Sequence, residues 1–259
     1  MIVTTSGRTD AKHIELAAAI ADELEFFYIE RRKKSVELLK KEYNDDVLVI
    51  GRNRYELFMK DTDKPFFFHP NSAVFRIKRL QKNEWDPFVE ATNLCKGKSF
   101  LDCTIGLGSD SIVASYLTGE EGTVFGMEGS KTIAFLVKKG LQAWRTDSEE
   151  TNDAMKRVNI IHSLALTDLK KRETDSVDCV YFDPMFEEEI QSSDGISSLR
   201  RLAVYDELTK ETIEEALRVA KERIVLKDHF RSKRFQKFGF SVKKRKSSKF
   251  HYGIIKVQN

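Results

Sequence analysis

Four short stretches of the chain hold residue types that can do chemistry, and each lies where an apolar run stops. The first is Phe100-Leu101-Asp102-Cys103-Thr104-Ile105-Gly106-Leu107-Gly108-Ser109-Asp110. An apolar run ends in a carboxylate, and two glycines then precede a helical stretch. Glycines at such a turn let the backbone approach a ligand, and the helix start behind them offers free N–H groups. Ser111 stands where the dinucleotide fingerprint has its third glycine, and Asp102 before the turn would repel a pyrophosphate. The loop therefore suits a ligand with a cationic group and no phosphate. The plainer alternative is an ordinary structural turn.

The second stretch is Phe125-Gly126-Met127-Glu128-Gly129-Ser130. An acid about 20 residues past a glycine loop, at the end of the next strand, is placed to bind ribose hydroxyls. Alone, it could equally be a carboxylate favoured by a helix dipole. The third stretch ends in His162-Ser163-Leu164 and would deliver Ser163 and Leu164 to the same sheet edge. His162 invites an acid–base role, but a histidine at a strand end is more often structural. The fourth is Val180-Tyr181-Phe182-Asp183-Pro184-Met185-Phe186. It reads either as a strand-ending turn or as an acceptor site. In the second reading the Asp183 carboxylate and the Pro184 carbonyl accept hydrogen bonds from an amine, and Phe186 stacks on its ring.

The elements that must position these residues follow from periodicity. From Pro87 onward, strands at 99–103, 123–127, 158–161, 177–182 and 224–226 alternate with helices at 110–117, 131–144 and 205–222. That rhythm argues a parallel, doubly wound α/β sheet. The runs 240–246 and 250–257 read as a β-hairpin, so at least one terminal strand is antiparallel. Residues 1–80 read as a separate small α/β subdomain. It has a helix capped by Thr9 or Asp10, a short strand at 25–29, a helix at 35–43, a hairpin at 47–50 and 55–60, and a strand at 66–69. Residues 81–259 form the main domain.

Composition narrows the class. The chain has 259 residues, of which 41% are hydrophobic and 33% charged, with 13 Gly and 4 Pro, which excludes collagen-like and low-complexity proteins. No apolar run nears the ~20 residues of a membrane span. Residues 1–10 are polar and lack the pattern of a signal peptide, so a cytoplasmic protein is expected. Cys95, Cys103 and Cys179 fit neither a disulfide framework nor a zinc site. The net charge is only +3, yet between Lys227 and Lys256 eleven Lys/Arg face a single acid, Asp228. Arg31-Arg32-Lys33-Lys34 and Arg76-Ile77-Lys78-Arg79 add two more basic patches. Each alone could be solvated surface; together they point to a polyanionic partner, most often nucleic acid.

The order of acid and Gly-x-Gly, second acid, Asp-Pro-x-aromatic and terminal hairpin resembles the class I S-adenosylmethionine-dependent methyltransferases. LDCTIGLGSDS, DPMF, RIVLKD and the lead-in HPNSAVFRIKRLQKNEWDPFVEA are similar to the small-subunit rRNA guanine-N2 methyltransferase family, over roughly residues 69–257. The resemblance implies a Rossmann-like, seven-stranded, mostly parallel sheet with an antiparallel C-terminal hairpin. It implies that Ser109, Asp110 and the Gly106–Gly108 turn hold the methionine part of S-adenosylmethionine, with Asp102 and Thr104 completing that set. Glu128 and Gly129 would bind the ribose, and Ser163 and Leu164 would flank the adenine. Asp183, Pro184 and Phe186 would be catalytic, and no metal is required. Glu187-Glu188-Glu189 follows where the family tends to be basic. The activity implied is methyl transfer to an exocyclic amine, guanine N2 of rRNA first. A non-catalytic RNA-binding or assembly factor, a small-molecule N-methyltransferase and a nucleotide-dependent oxidoreductase are the rivals. The missing third glycine and the terminal hairpin count against the last.

Overall fold

A computed structural model of the chain describes residues 1–62, 64–184, 207–245 and 248–257. The described residues form two compact units, one from Met1 to His69 and the other from Pro70 onward.

The first unit carries β1 (Ile2–Thr5), α1 (Ala11–Leu24), β2 (Phe27–Tyr28), α2 (Val36–Tyr43), β3 (Val47–Ile50) and β4 (Tyr55–Phe58). Asp10 caps α1 by accepting the His13 N–H, and Ala17, Ile20, Ala21 and Leu24 turn inward at helical spacing. Ser35 caps α2 through the Leu38 N–H. The sheet order is β2-β1-β3-β4, with β1 parallel to both neighbours and β3–β4 an antiparallel hairpin. Residues 1–10 read as a polar lead-in, yet Ile2–Thr5 is an inner strand with every residue buried. Threonine counts as polar in hydropathy but is β-branched and fits a pleated sheet. The strand expected at 66–69 contributes one isolated bridge, Phe66 to Leu57.

The second unit carries α3 (Asn71–Gln81), α4 (Pro87–Thr92), β5 (Ser99–Asp102), α5 (Ser109–Thr118), β6 (Thr123–Glu128), α6 (Lys131–Ala143), α7 (Glu149–Arg157), β7 (Val158–His162), α8 (Ala165–Leu169), β8 (Val177–Phe182), α9 (Lys210–Val219), β9 (Ala220–His229), α10 (Arg234–Lys237), β10 (Ser241–Lys243) and β11 (Phe250–Lys256). A boundary at residue 80 would put α3 in the first unit; it packs on α5 in the second. The sheet is seven-stranded in the order β10-β11-β9-β8-β5-β6-β7. Strands β7, β6, β5, β8 and β9 run parallel, and β11 runs antiparallel to both β9 and β10. The inner parallel strands β5, β6 and β8 are mostly buried, as expected when helices flank a sheet, whereas β7 at the edge is largely half-buried or exposed. Phe88 of α4 stands edge-on to Phe100 and Tyr181, with ring centroids 5.7 and 5.4 Å away, and all three are buried.

The helix expected at 205–222 is shorter at both ends; it begins at Lys210, where Thr209 caps it by accepting the Thr212 N–H. It stops at Val219, and Ala220 opens a ten-residue strand paired to Val177. Ala220 and Lys221 favour helix by propensity, but a buried place beside β8 overrides that. Residues 205 and 206 lie outside the described residues.

Among the described residues, no helix is long and apolar enough to cross a membrane.

Candidate active site

Parallel strands of one sheet end at one edge, so β5, β6, β7 and β8 deliver Asp102, Glu128, Ser163 and Asp183 to a common rim. The loop after β5 is tied down at every turn. Asp102 Oδ1 accepts the Thr104 N–H (3.0 Å) and Oδ2 accepts Ser111 Oγ–H (2.7 Å). The Ile105 N–H donates to the Met127 carbonyl at 3.0 Å. A Cβ on Gly126 would fall 2.1 Å from Ile105 Cδ1, so the glycine is what lets the loop lie down on β6. Gly108 turns the chain into α5 at φ 75°, a left-handed conformation that favours glycine.

Asp102 is 2% exposed, and both of its oxygens hold the loop. Burial pushes its carboxyl up to about 7, against the opposing hydrogen bonds from Ser111 and Thr104. The folded chain thus keeps this proton to about pH 7, whereas an unfolded aspartate releases it near pH 4. The associated stability is complete below the lower value and is lost as pH rises through the upper one. Asp102→Asn should remove that loss. Its amide oxygen still accepts the Thr104 N–H, and its NH2 can donate to Ser111 Oγ. The variant's gain in thermal midpoint over the parent should be several degrees larger at about pH 8 than at about pH 5. Equal midpoint differences at both pH values would show that Asp102 is ionised throughout.

Glu128 ends β6 at 9% exposure. Its Oε1 accepts the Ser130 N–H at 2.9 Å, and the backbone N–H groups of Gly106 and Gly129 also point to it. Burial raises its pKa despite these three donors. Exposed His162 sets Nε2 3.2 Å from the Gly129 carbonyl. The Ser163 N–H donates to the Glu128 carbonyl at 3.1 Å, and Leu164 stands 39% exposed on the rim.

Asp110, which the resemblance places beside the methionine part of the cofactor, is the hub of a buried ion network. It accepts Arg76 Nη1 (2.5 Å), Tyr181 Oη–H (2.8 Å) and Lys227 Nζ (3.1 Å). Arg76 also forks onto Asp86 at 2.9 and 3.1 Å, and lies 5.1 Å over the Phe88 ring. Burial alone would raise the Asp110 pKa, but Lys227, Arg76 and Tyr181 outweigh it and hold the carboxyl far below its usual range. Beside it, Ser109 Oγ is buried with no hydrogen-bond partner among the described residues.

Asp183 closes the rim. Its N–H donates to Thr104 Oγ1 at 2.6 Å, which couples the β8 end to the loop after β5. Its Oδ2 accepts Lys227 Nζ at 2.5 Å. Burial lifts the Asp183 carboxyl to about 6, with Lys227 opposing and Asp110 adding to the rise. Burial disfavours the Lys227 charge, yet Asp110 and Asp183 more than restore it and raise its pKa. Pro184 follows, half-buried; Phe186 and Glu187–Glu189 lie outside the described residues.

Lys227, Tyr181 and Arg76 were not singled out as site residues from sequence. Lys227 and Arg76 were counted in basic patches, and both are mostly buried here, with side chains 17% and 16% exposed. Arg234 likewise turns inward to Asp228 at 3.1 Å. Arg31 reaches the Thr5 carbonyl at 3.0 Å, and Lys34 pairs with Glu42. A signal for Lys227 was present: it directly follows the buried apolar run Ile224-Val225-Leu226, and Leu226 pairs with Phe182, the residue before Asp183.

A seven-stranded sheet of this order, with a glycine loop after the central strand, an acid after its neighbour and Asp-Pro after β8, defines the class of S-adenosylmethionine-dependent methyltransferases. The chain belongs to the family described as "Putative SAM-dependent methyltransferase", whose model matches residues 31–251. It is 46% identical over 256 residues to the protein YpiP of Bacillus subtilis (strain 168), covering 99% of each chain. It is 33% identical over 201 residues to ribosomal RNA small subunit methyltransferase J of Buchnera aphidicola subsp. Schizaphis graminum (strain Sg), covering 73% of this chain and 78% of that one. A SAM-dependent methyltransferase from Neisseria gonorrhoeae shares the fold, with a TM-score of 0.66 at 17% identity over 99% of this chain and 96% of that one.

The residues present fit S-adenosylmethionine. Among the described residues, the rim and the ion network behind it hold the carboxylates Asp110, Glu128 and Asp183 beside the cations Arg76 and Lys227, each of which already pairs with an acid, so the site favours a cationic ligand over an anionic one. The unpartnered Ser109 hydroxyl at the start of α5 gives such a ligand a ready donor and acceptor.

Proposed function

We propose that this methyltransferase acts on an exocyclic amine of RNA, with guanine N2 of small-subunit rRNA as the first choice. The observation that carries the amine is Asp183. Lys227 occupies Oδ2, and no hydrogen bond to Oδ1 is seen among the described residues, so that oxygen can take a second donor at the sheet edge. The RNA rests on the relatives named as ribosomal RNA small subunit methyltransferase J and on the basic stretch before Lys256.

S-adenosylmethionine supplies an electrophilic methyl group on a sulfonium. The chain's own residues do the rest. Gly106, Gly108 and Ser109 hold the methionine part. Asp102 and Thr104 act on it through the loop they shape, and Asp110 through the α5 start it anchors. Glu128 and Gly129 take the ribose, and Ser163 and Leu164 border the adenine. Asp183 accepts an N–H of the amine, which turns the nitrogen lone pair away from the carboxylate, and the Pro184 carbonyl is a second acceptor beside it. A carboxyl with a raised pKa is suited to receive the proton the amine gives up. Alignment of this kind lowers the barrier by several kcal/mol in well-oriented reactions. A base in RNA must be unpaired or flipped to reach such a rim.

Methyl transfer from labelled cofactor to rRNA taken from cells lacking the protein, followed by mass mapping, tests the reading. One new guanine carrying a methyl on N2 is the expected result; transfer only to small amines would overturn it. Glu128→Ala should weaken S-adenosylmethionine binding by about 10- to 150-fold, the equivalent of ~1.5–3 kcal/mol for hydrogen bonds to a charged group. Titration calorimetry checks this, and an unchanged Kd would take Glu128 out of the ribose site.

A further inference from the structure

Trp85, between α3 and α4, is 58% exposed. The Arg245 guanidinium lies 5.7 Å from the Trp85 ring centroid and 5.3 Å from that of Phe250. Its Nη1 is buried and has no hydrogen-bond partner among the described residues. The Arg245 N–H donates to His251 Nδ1 at 3.2 Å, so β11 fixes the backbone that carries this guanidinium. The Phe250 ring holds Lys227 Nζ 5.2 Å from its centroid. A continuous row therefore leads from the exposed indole through Arg245 and Phe250 to the Lys227–Asp183 pair. Past the end of β9, Phe230 is 44% exposed, with the Arg231 guanidinium 5.0 Å over its ring. Lys244 and Lys249 are exposed on the same connection. Glu90, on the rim of the depression beside Trp85, is neutralised by Lys243.

Aromatic faces in a basic margin are how single strands are held: bases stack on rings while guanidinium groups meet phosphates. A small amine bound at the Asp183 rim would need none of this surface, and an acidic peptide would use the charges and not the ring faces. We propose that Trp85, Arg245 and Phe250, extended by Phe230 and Arg231, form a stacking surface for the unpaired RNA nucleotides that flank the target nucleotide. This rests on the reading of the protein as an RNA methyltransferase. The row from Trp85 to Lys227 lets nucleotides stacked on the surface present their neighbour to Asp183.

The test uses the full chain with Trp144→Phe, so that fluorescence reports Trp85 alone. An unpaired RNA oligonucleotide should quench that fluorescence, and the same sequence as a perfect duplex should not. Trp85→Ala and Arg245→Ala should each raise the Kd for the unpaired RNA, and the KM for rRNA, by roughly 5- to 150-fold, the range of one lost base stack. Cofactor affinity, measured by calorimetry, should stay unchanged and shows that each variant is folded. Because Trp85 is exposed and Arg245 only half-buried, Trp85→Leu and Arg245→Gln are available should an alanine variant lose cofactor binding. Methyl transfer to rRNA by the parent, with Kd and KM unmoved in the variants, would remove the stacking surface and leave the RNA methyltransferase reading standing. A parent that neither binds nor methylates RNA would remove both.

Discussion

Asp183→Ala is expected to lower methyl transfer by about 100-fold or more while S-adenosylmethionine binds within a few-fold of the parent. The carboxylate sits where β8 ends, its N–H anchored on Thr104 Oγ1 and its Oδ2 on Lys227. Removing it leaves Lys227 still paired with Asp110 at 3.1 Å, so no buried cation is stranded and the fold should survive. The loop contacts made by Asp102 and Glu128 do not involve the Asp183 side chain, which is why cofactor affinity should change little. What is lost is the acceptor for the amine N–H and the group that receives its proton. Asp183→Asn keeps an acceptor oxygen but is a poor proton acceptor, so it should retain part of the rate. Single-turnover transfer from labelled cofactor separates these effects from product release. Undiminished transfer by Asp183→Ala would take this residue out of the mechanism and with it the main reason for choosing an amine.

The largest stability effect should come from Arg76→Met, which is expected to cost about 3–5 kcal/mol, the usual scale for breaking a buried ion pair from one side. Arg76 serves two carboxylates, Asp86 through a fork and Asp110 through Nη1, and its side chain is only 16% exposed. Methionine fills similar volume over Phe88 but leaves Asp86 without its guanidinium and Asp110 with Lys227 and Tyr181 alone. Asp86 also caps α4 through the Phe88 N–H, so the strain should reach that helix. Chemical denaturation measures the loss. A variant as stable as the parent, with weakened RNA binding instead, would return Arg76 to the surface role that its basic neighbours first suggested.

Some of this architecture was readable in the sequence, and the reasons are local. The strands β5, β6 and β8 announce themselves because each is a mostly buried parallel strand whose apolar stretch leads into an acid, Asp102, Glu128 and Asp183. Helix α1 is readable because its cap and its apolar spacing agree. By contrast α7 has few apolar residues in Glu149–Arg157, and burial of Thr151, Ala154 and Met155 leaves a weak pattern. Helix α3 is masked by its basic residues, since Arg76 faces inward only because Asp86 and Asp110 are there to meet it. That is also why the site was half visible. Asp183 and Glu128 end strands and could be ranked by position. Lys227 and Arg76 take their meaning from partners 44 and 34 residues away along the chain, which no spacing rule connects.

The placing of β11 has a consequence for biosynthesis. Residues 241–243 leave the ribosome before residues 250–256, yet β10 pairs in the sheet with β11, and β11 fills the place between β10 and β9. Until Phe250–Lys256 has been made, β10 lacks this partner and β9 presents an open edge of unpaired backbone groups, a hazard for aggregation. The Lys227 charge is meanwhile short of its cover, because the Phe250 ring arrives with the same strand. The catalytic unit therefore cannot mature strand by strand during translation. It should complete its sheet late and in one step, and nascent chains halted before Phe250 should depend on chaperones.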